Sequence, residues 1–239
     1  MPLTSPTPSA RTASRGGIRL AVIDMAGTTV TDAGAVENAF VQALRHMDVP
    51  EGSAAHARMM DHVRATMGES KISVFRHLFG EPDDADRAND IFERAYAELV
   101  AAGHCKPIPG AQETIEALRV SGIAVVLNTG FSPGTRDSLL ASLGWLDLAD
   151  EVLSPADAGR GRPYPDMVLT AVLRTQTPSV HDTVVVGDTP YDIEAGLRAG
   201  AGLVVAVLTG AHTEPELRAA GAHYVIESVR RLPEVLQGS

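Results

Sequence analysis

Two carboxylates stand where apolar runs stop. Residues 18–23 (Ile-Arg-Leu-Ala-Val-Ile) lead into Asp24 and the turn-forming Met25-Ala26-Gly27-Thr28-Thr29. Residues 183–186 lead into Gly187-Asp188-Thr189-Pro190-Tyr191-Asp192. Taken singly, a strand-end Asp is ordinarily a turn residue, and Asp188 and Asp192 suit the start of a helix. Together they offer other chemistry. A carboxylate can attack phosphorus and form an aspartyl-phosphate, which splits one difficult step into two. Mg²⁺ takes oxygen ligands, keeps waters, and is held by one or two carboxylates plus substrate oxygens. Asp24, Asp188 and the backbone carbonyl of Ala26 supply such a set, with Asp192 placed to hold a metal-bound water. Thr129-Gly130 follows another apolar run and offers a hydroxyl and bare amides to phosphoryl oxygens, ahead of a helix start. In Gly161-Arg162-Pro163-Tyr164-Pro165, Arg162 precedes an expected helix with Pro at its first position. It can pair with Asp24 and a phosphoryl group, and Arg160 competes for that role.

These residues are far apart in sequence, so the elements must bring them together. The apolar runs at 18–23, 123–127, 183–186 and 203–207 read as buried strands. Helical patterns at about 111–121, 134–143, 163–175, 190–199 and 213–220 separate them. This alternation predicts an α/β fold, a parallel sheet with helices on both faces. Ligands of such sheets bind beyond the C-terminal strand ends, where Asp24, Thr129 and Asp188 fall. Residues 35–103 carry helical periodicity at 35–46, 53–66, 70–79 and 85–102 and no convincing strand. The expected organisation is a tail at 1–17, a core formed by 18–34 and 104–239, and a helical insertion at 35–103.

With 239 residues, 44% of them apolar, the chain can bury a sizeable core. At 4% aromatic residues that core should be aliphatic. The net charge of −10 argues against broad binding to nucleic acid or anionic membranes. Cys105 is the only cysteine, which excludes an intrachain disulfide and suits a reducing cytoplasm. Residues 1–17, rich in Ser, Thr, Pro and Arg, lack the apolar stretch of a signal peptide and read as a disordered tail.

The four motifs, in this order, resemble those of the haloacid dehalogenase (HAD) superfamily over residues 18 to about 225. The resemblance implies a Rossmann-like core with an α-helical cap. Within the superfamily the chain most resembles the phosphonoacetaldehyde hydrolases, or phosphonatases, and their phosphonatase-like relatives. Asp-x-Ala replaces the usual Asp-x-Asp, and Arg162 replaces the usual Lys. The cap segment Met67-Gly68-Glu69-Ser70-Lys71 looks like the family's Met-Gly-x-x-Lys. The resemblance implies Asp24 as nucleophile and Lys71 as the lysine that forms a Schiff base with the substrate aldehyde. It implies substrate or phosphate contacts at Ala26, Gly27, Thr28, Met67, Thr129, Gly130 and Arg162. Asp24, Ala26 and Asp188 would hold Mg²⁺, with Asp192 behind them, and the chain would form a homodimer through cap helices, where Val41, Leu44 and Met47 would supply an apolar face, although they fit ordinary cap core equally well. Three positions depart from the phosphonatase pattern. Val74 stands in place of a His, Gly34 or Ala35 in place of a Cys, and Phe131 in place of a Tyr. These departures suit a phosphonatase-like branch acting on a related 2-oxoalkylphosphonate at least as well as an authentic phosphonoacetaldehyde hydrolase.

Ala26 and Lys71 belong to one chemical argument. Ala26 cannot protonate a poor alkoxide leaving group. A C–P bond breaks only if the departing carbanion is delocalised. A protonated imine two bonds away is an electron sink, so the leaving group becomes a neutral enamine and no acid is needed at position 26. The lysine must first be neutral, yet at an unperturbed pKa of ~10.4 only about one in 2,500 is neutral at pH 7. Desolvation and neighbouring positive charge favour the neutral form, and a bound dianion opposes it. Two other functions compete. One is an ordinary HAD phosphatase that takes an acid from the cap, His77 or Glu69; the other is a catalytically silent binding module of the same fold.

Overall fold

The computed structural model describes residues 17–31 and 33–237, so the tail expected at 1–17 lies outside the described residues apart from Gly17. In chain order the elements are β1 (Leu20–Asp24), β2 (Val30–Thr31), α1 (Ala35–His46), α2 (Ala54–Ala65), α3 (Lys71–Phe79), α4 (Pro82–Ala101) and β3 (Lys106–Pro107). There follow α5 (Ala111–Val120), β4 (Ala124–Asn128), α6 (Pro133–Leu143), β5 (Glu151–Leu153), α7 (Pro155–Ala158), α8 (Asp166–Arg174) and β6 (Thr183–Gly187). The chain ends with α9 (Pro190–Ala199), β7 (Leu203–Val207), α10 (Glu214–Ala219), β8 (Tyr224–Ile226) and α11 (Leu232–Gln237).

Six strands form a parallel sheet in the order β5-β4-β1-β6-β7-β8. The central runs are apolar throughout because both faces are covered. Along β1, Ala21 and Ile23 join one apolar cluster while Leu20 and Val22 join the other, as a period of two requires. The strand order sets β1 between β4 and β6. Asp24, Thr129 and Asp188, at or just past the ends of these three strands, therefore come together as expected.

Two edge strands escape the sequence pattern. Glu-Val-Leu at β5 and Tyr-Val-Ile at β8 span three residues each, too short for a period to emerge. The helix expected from 163 begins instead at Asp166, with Pro165 as its N-cap. Residues 161–164 form a turn, in which the Tyr164 amide donates to the Gly161 carbonyl at 3.1 Å.

Helices α1 to α4 lie between the two short strands β2 and β3, which pair antiparallel and bring the departing and returning chain side by side. The interior of these helices is aromatic, unlike the aliphatic sheet. Phe40 lies 5.0 Å from Phe75 and 4.7 Å from Phe92, centroid to centroid, and Phe92 lies 6.0 Å from Tyr96. The few aromatic residues are thus concentrated where four short helices need large side chains to fill the space between them. Leu44 is fully buried in this interior and cannot contribute to a dimer face; Val41 and Met47 are partly buried against the same core. No helix among the described residues is long and apolar enough to cross a membrane.

Phe75 is fully buried among these rings. Phe75→Ala is expected to cost about 3–5 kcal/mol of stability through lost burial and the cavity left behind. Urea denaturation of the two proteins checks this.

Candidate active site

Asp24, Asp188 and Asp192 each place a carboxylate oxygen within 4.8 Å of the other two, and all three side chains are buried. Each is held from a different direction. Asp24 ends β1, and its Oδ1 accepts from Arg162 Nη1 at 2.6 Å. Asp188 follows β6, and its Oδ1 accepts from Thr28 Oγ1 at 2.9 Å. Asp192 closes a capping box at the start of α9: its Oδ2 accepts from Thr189 Oγ1 at 2.6 Å, and its Oδ1 accepts from Arg162. Gly27 makes the first loop possible. At φ 89° it occupies a backbone region that favours glycine, and a Cβ there would fall 2.5 Å from Asp188 Oδ2.

Three buried carboxylates share one buried guanidinium, and the imbalance shows in their protonation. Burial, opposed by Arg162 and reinforced by Asp192, pushes the Asp24 carboxyl up to about 6. Burial, with Asp24 and Asp192 adding to it, raises Asp188 well above the usual carboxylate range. Burial disfavours the Arg162 cation, but Asp192 and Asp24 more than reverse this and raise its pKa. A group with two net negative charges and converging oxygens fits a divalent cation. Two buried atoms without a partner among the described residues, Arg162 Nε and Asn128 Oδ1, leave polar capacity in this region.

Asp24 and Asp188 open into a cleft of about 320 Å³ lined also by Ala26, Gly27, Met67, Thr129, Gly130 and Arg162. Lys71 lines the same cleft from the opposite side. It is the first residue of α3 and is buried, with Nζ 5.4 Å from the Phe131 ring centroid and 5.9 Å from that of Phe40. The loop carrying it packs tightly on the core. A Cβ on Gly130 would fall 2.7 Å from the Glu69 carbonyl oxygen, and one on Gly68 would fall 2.6 Å from Thr189 Oγ1. Tyr191 of α9, pushed up to about 12 by burial and by its bond to Glu69, adds a polar contact across the same junction.

The structure also places the candidates that compete in the sequence, where Arg162 is preferred to Arg160. Arg160 is solvent-facing, bonded to Asp166 at 2.7 and 2.8 Å, whereas Arg162 enters the carboxylate cluster. Thr28, expected to contact substrate, supports Asp188: its hydroxyl donates to that carboxylate and its amide to the Met25 carbonyl. His77 is exposed and stacks on His62 at 3.9 Å, and Glu69 turns to Tyr191; neither lines the cleft. Sequence reasoning missed Gly210, where a Cβ would overlap Asp188, and Phe40, which faces Lys71 from α1. Gly210 carries a weak signal, as the small residue following β7. Phe40 carries none apart from its place in a helix.

The fold and this cluster define a hydrolase with a Rossmann-like core and a buried acidic site. A family model, the haloacid dehalogenase-like hydrolases, matches residues 18–200, and the chain belongs to that family. It is similar to a phosphonoacetaldehyde hydrolase of Syntrophobacter fumaroxidans, 31% identical over 93% of this chain and 92% of the relative. A solved structure of a phosphonoacetaldehyde hydrolase-like protein from Oleispira antarctica superposes with a TM-score of 0.79 at 28% identity, covering 93% of this chain and 92% of that one. A putative phosphoglycolate phosphatase from Lactobacillus delbrueckii shares the fold, with a TM-score of 0.75 at 19% identity over 94% of this chain and 100% of its own.

A divalent cation and protons compete for the same carboxylate oxygens. With Asp24 titrating at about 6, the apparent affinity for Mg²⁺ is expected to fall as pH is lowered through that value. The fall should approach about tenfold per unit for each proton displaced. Calorimetric titrations at about pH 7.5 and about pH 5 measure it, with proton release on binding as the internal check.

Proposed function

We propose that this protein is a Mg²⁺-dependent hydrolase that cleaves the carbon–phosphorus bond of phosphonoacetaldehyde or a related 2-oxoalkylphosphonate. The observation that carries this reading is the position of Lys71, buried and facing the Asp24 cleft, in a site where Ala26 offers no acid. The similarity to phosphonoacetaldehyde hydrolases supports it. In this reading 18–34 and 104–239 form the core, 35–103 the cap, and the active form is a cytoplasmic homodimer.

Lys71 attacks the substrate carbonyl through its nitrogen lone pair. Loss of water leaves a protonated imine. Asp24 then attacks phosphorus, and the C–P bonding electrons flow toward the iminium nitrogen to give a neutral enamine. Arg162 fixes Asp24 for that attack, and Thr129 with the Gly130 amide binds phosphoryl oxygens. Asp24, the Ala26 carbonyl and Asp188 would hold Mg²⁺, which supplies charge neutralisation at the phosphoryl oxygens; Asp192 braces Arg162 and the cluster. Water cleaves the aspartyl-phosphate, releasing phosphate. Protonation of the enamine carbon and hydrolysis of the imine release the aldehyde and restore the Lys71 amine. The cap must open and close in each cycle, because Lys71 arrives with it.

Borohydride added during turnover of phosphonoacetaldehyde is expected to leave a reduced adduct on the peptide containing Lys71, read by mass spectrometry. Lys71→Ala should lower phosphate release from phosphonates by at least about 10³-fold. An unmodified Lys71 in an enzyme that still turns over would sink the imine. Phosphate-ester hydrolysis that survives Lys71→Ala would instead establish an ordinary phosphatase.

A further inference from the structure

The chemistry proposed at Lys71 passes through a cation, and a carboxylate from another helix is anchored beside the ring that faces this lysine. Glu93 lies on α4. Its Oε2 accepts from Ser132 Oγ at 2.5 Å and from Thr135 Oγ1. Both hydroxyls belong to the core, at the N-terminus of α6, where Ser132 is the N-cap. Unpaired amides and the helix dipole favour a negative charge at such a place. Phe131, the residue before Ser132, is the ring that faces Lys71 Nζ at 5.4 Å. Tyr96, one turn beyond Glu93 on α4, packs on the same ring at 4.5 Å. Glu93 thus bonds to the residue next to the ring that faces Lys71 Nζ, and Tyr96 of the same helix packs on that ring, across the junction between α4 and the start of α6.

The charges facing Glu93 are few. Burial raises its pKa, while the Ser132 hydroxyl and amide and then the Lys71 charge oppose that rise; Asp90 on its own helix adds to it. Lys71 is the cation in this set.

We propose, building on the imine reading above, that Glu93 is the counter-ion of the protonated imine on Lys71, assembled when the cap closes on α6. The amine must lose a proton to attack, and the imine must carry one to draw electrons from the C–P bond. A carboxylate beside the nitrogen favours the second state. Between the Phe40 and Phe131 rings the local dielectric is low, so that carboxylate acts strongly, and the ring faces add to the effect. When the cap lifts, Ser132 and Thr135 leave Glu93 and the counter-ion loses its fixed position. Glu93 is therefore a positioning residue that acts through Lys71, and it ties the electron sink to closure.

Glu93→Gln keeps the shape and an acceptor oxygen for both hydroxyls while removing the charge. The pH profile of kcat for phosphonoacetaldehyde cleavage tests the proposal. In Glu93→Gln, kcat is expected to fall by about tenfold or more, with KM changing less. The alkaline limb should move down by on the order of one pH unit, because an opposite charge near the nitrogen has been lost. A limb that stays at the wild-type position overturns the proposal, whatever the rate. The double variant Ser132→Ala/Thr135→Val keeps the charge but frees it, and its limb should move the same way by less. Should Glu93→Gln fail to fold, an unmoved limb in the double variant overturns the proposal. Borohydride trapping of the wild type separates the two readings. A Lys71 that is never modified removes the imine and the counter-ion together, whereas a modified Lys71 with an unmoved limb removes the counter-ion alone.

Discussion

Three carboxylates and one guanidinium, all buried, share the C-terminal edge of the sheet, and much of the local structure exists to hold them there. Removing such groups from water is costly, and a buried pair is seldom a source of net stability. Burial, with the unbalanced neighbouring carboxylates adding to it, holds Asp24 and Asp188 above the usual carboxylate range. The cluster is better understood as a function imposed on a fold that is stabilised elsewhere. The elsewhere is visible: β1, β6 and β7 are buried from end to end and packed on both faces. Strand order delivers the carboxylates, the Thr189–Asp192 capping box fixes the third, and glycines at 27 and 210 leave room for the side chain of Asp188.

The second constraint is that the cleft has two walls of different origin. One is the sheet edge, rigid because its strands are central. The other is the loop and helix start carrying Met67 and Lys71, attached to the core through the short β2–β3 ribbon. The two walls meet at glycines. Gly68 and Gly130 allow a backbone approach that any side chain would prevent, so the distance between Lys71 and the strand ends is set by backbone packing rather than by long flexible side chains. A reaction that needs an amine on one wall and a carboxylate on the other gains from that arrangement, because orientation is settled before the chemistry begins.

Most of this was readable in the sequence because it rests on local signals. Apolar runs ending in Asp, Thr-Gly or Gly-Asp-Thr announce buried strands and their loops, and parallel topology then brings the loops together without further information. Arg162 is preferred to Arg160 in the sequence for its place just before the expected helix, but which way each arginine faces is decided only by the fold. The support that Thr28 gives Asp188 was hidden for a related reason: Gly-Thr-Thr presents several donors, and only the fold decides that the first hydroxyl turns inward to Asp188. The short strands at 151–153 and 224–226 lacked the length for a period. Leu44 looked like one member of an apolar face, and only packing shows that it points into the cap.

Glu93 was invisible for a deeper reason. On α4 it is one acidic residue among several on a solvated helix, and its partners lie 39 and 42 residues away on another element. Its place also bears on the departures near Lys71. Val74, one turn beyond the lysine, is almost fully buried and joins the apolar cluster that contains Phe40, Phe75 and Phe92. A polar side chain at that position would need a partner inside an aromatic interior. With Val74 and Phe131 both apolar, the environment of the Lys71 nitrogen is drier than a His and a Tyr would make it. A drier site strengthens any charge that remains close by, so a carboxylate arriving from α4 gains effect from the apolar residues on α3 and in the loop after β4.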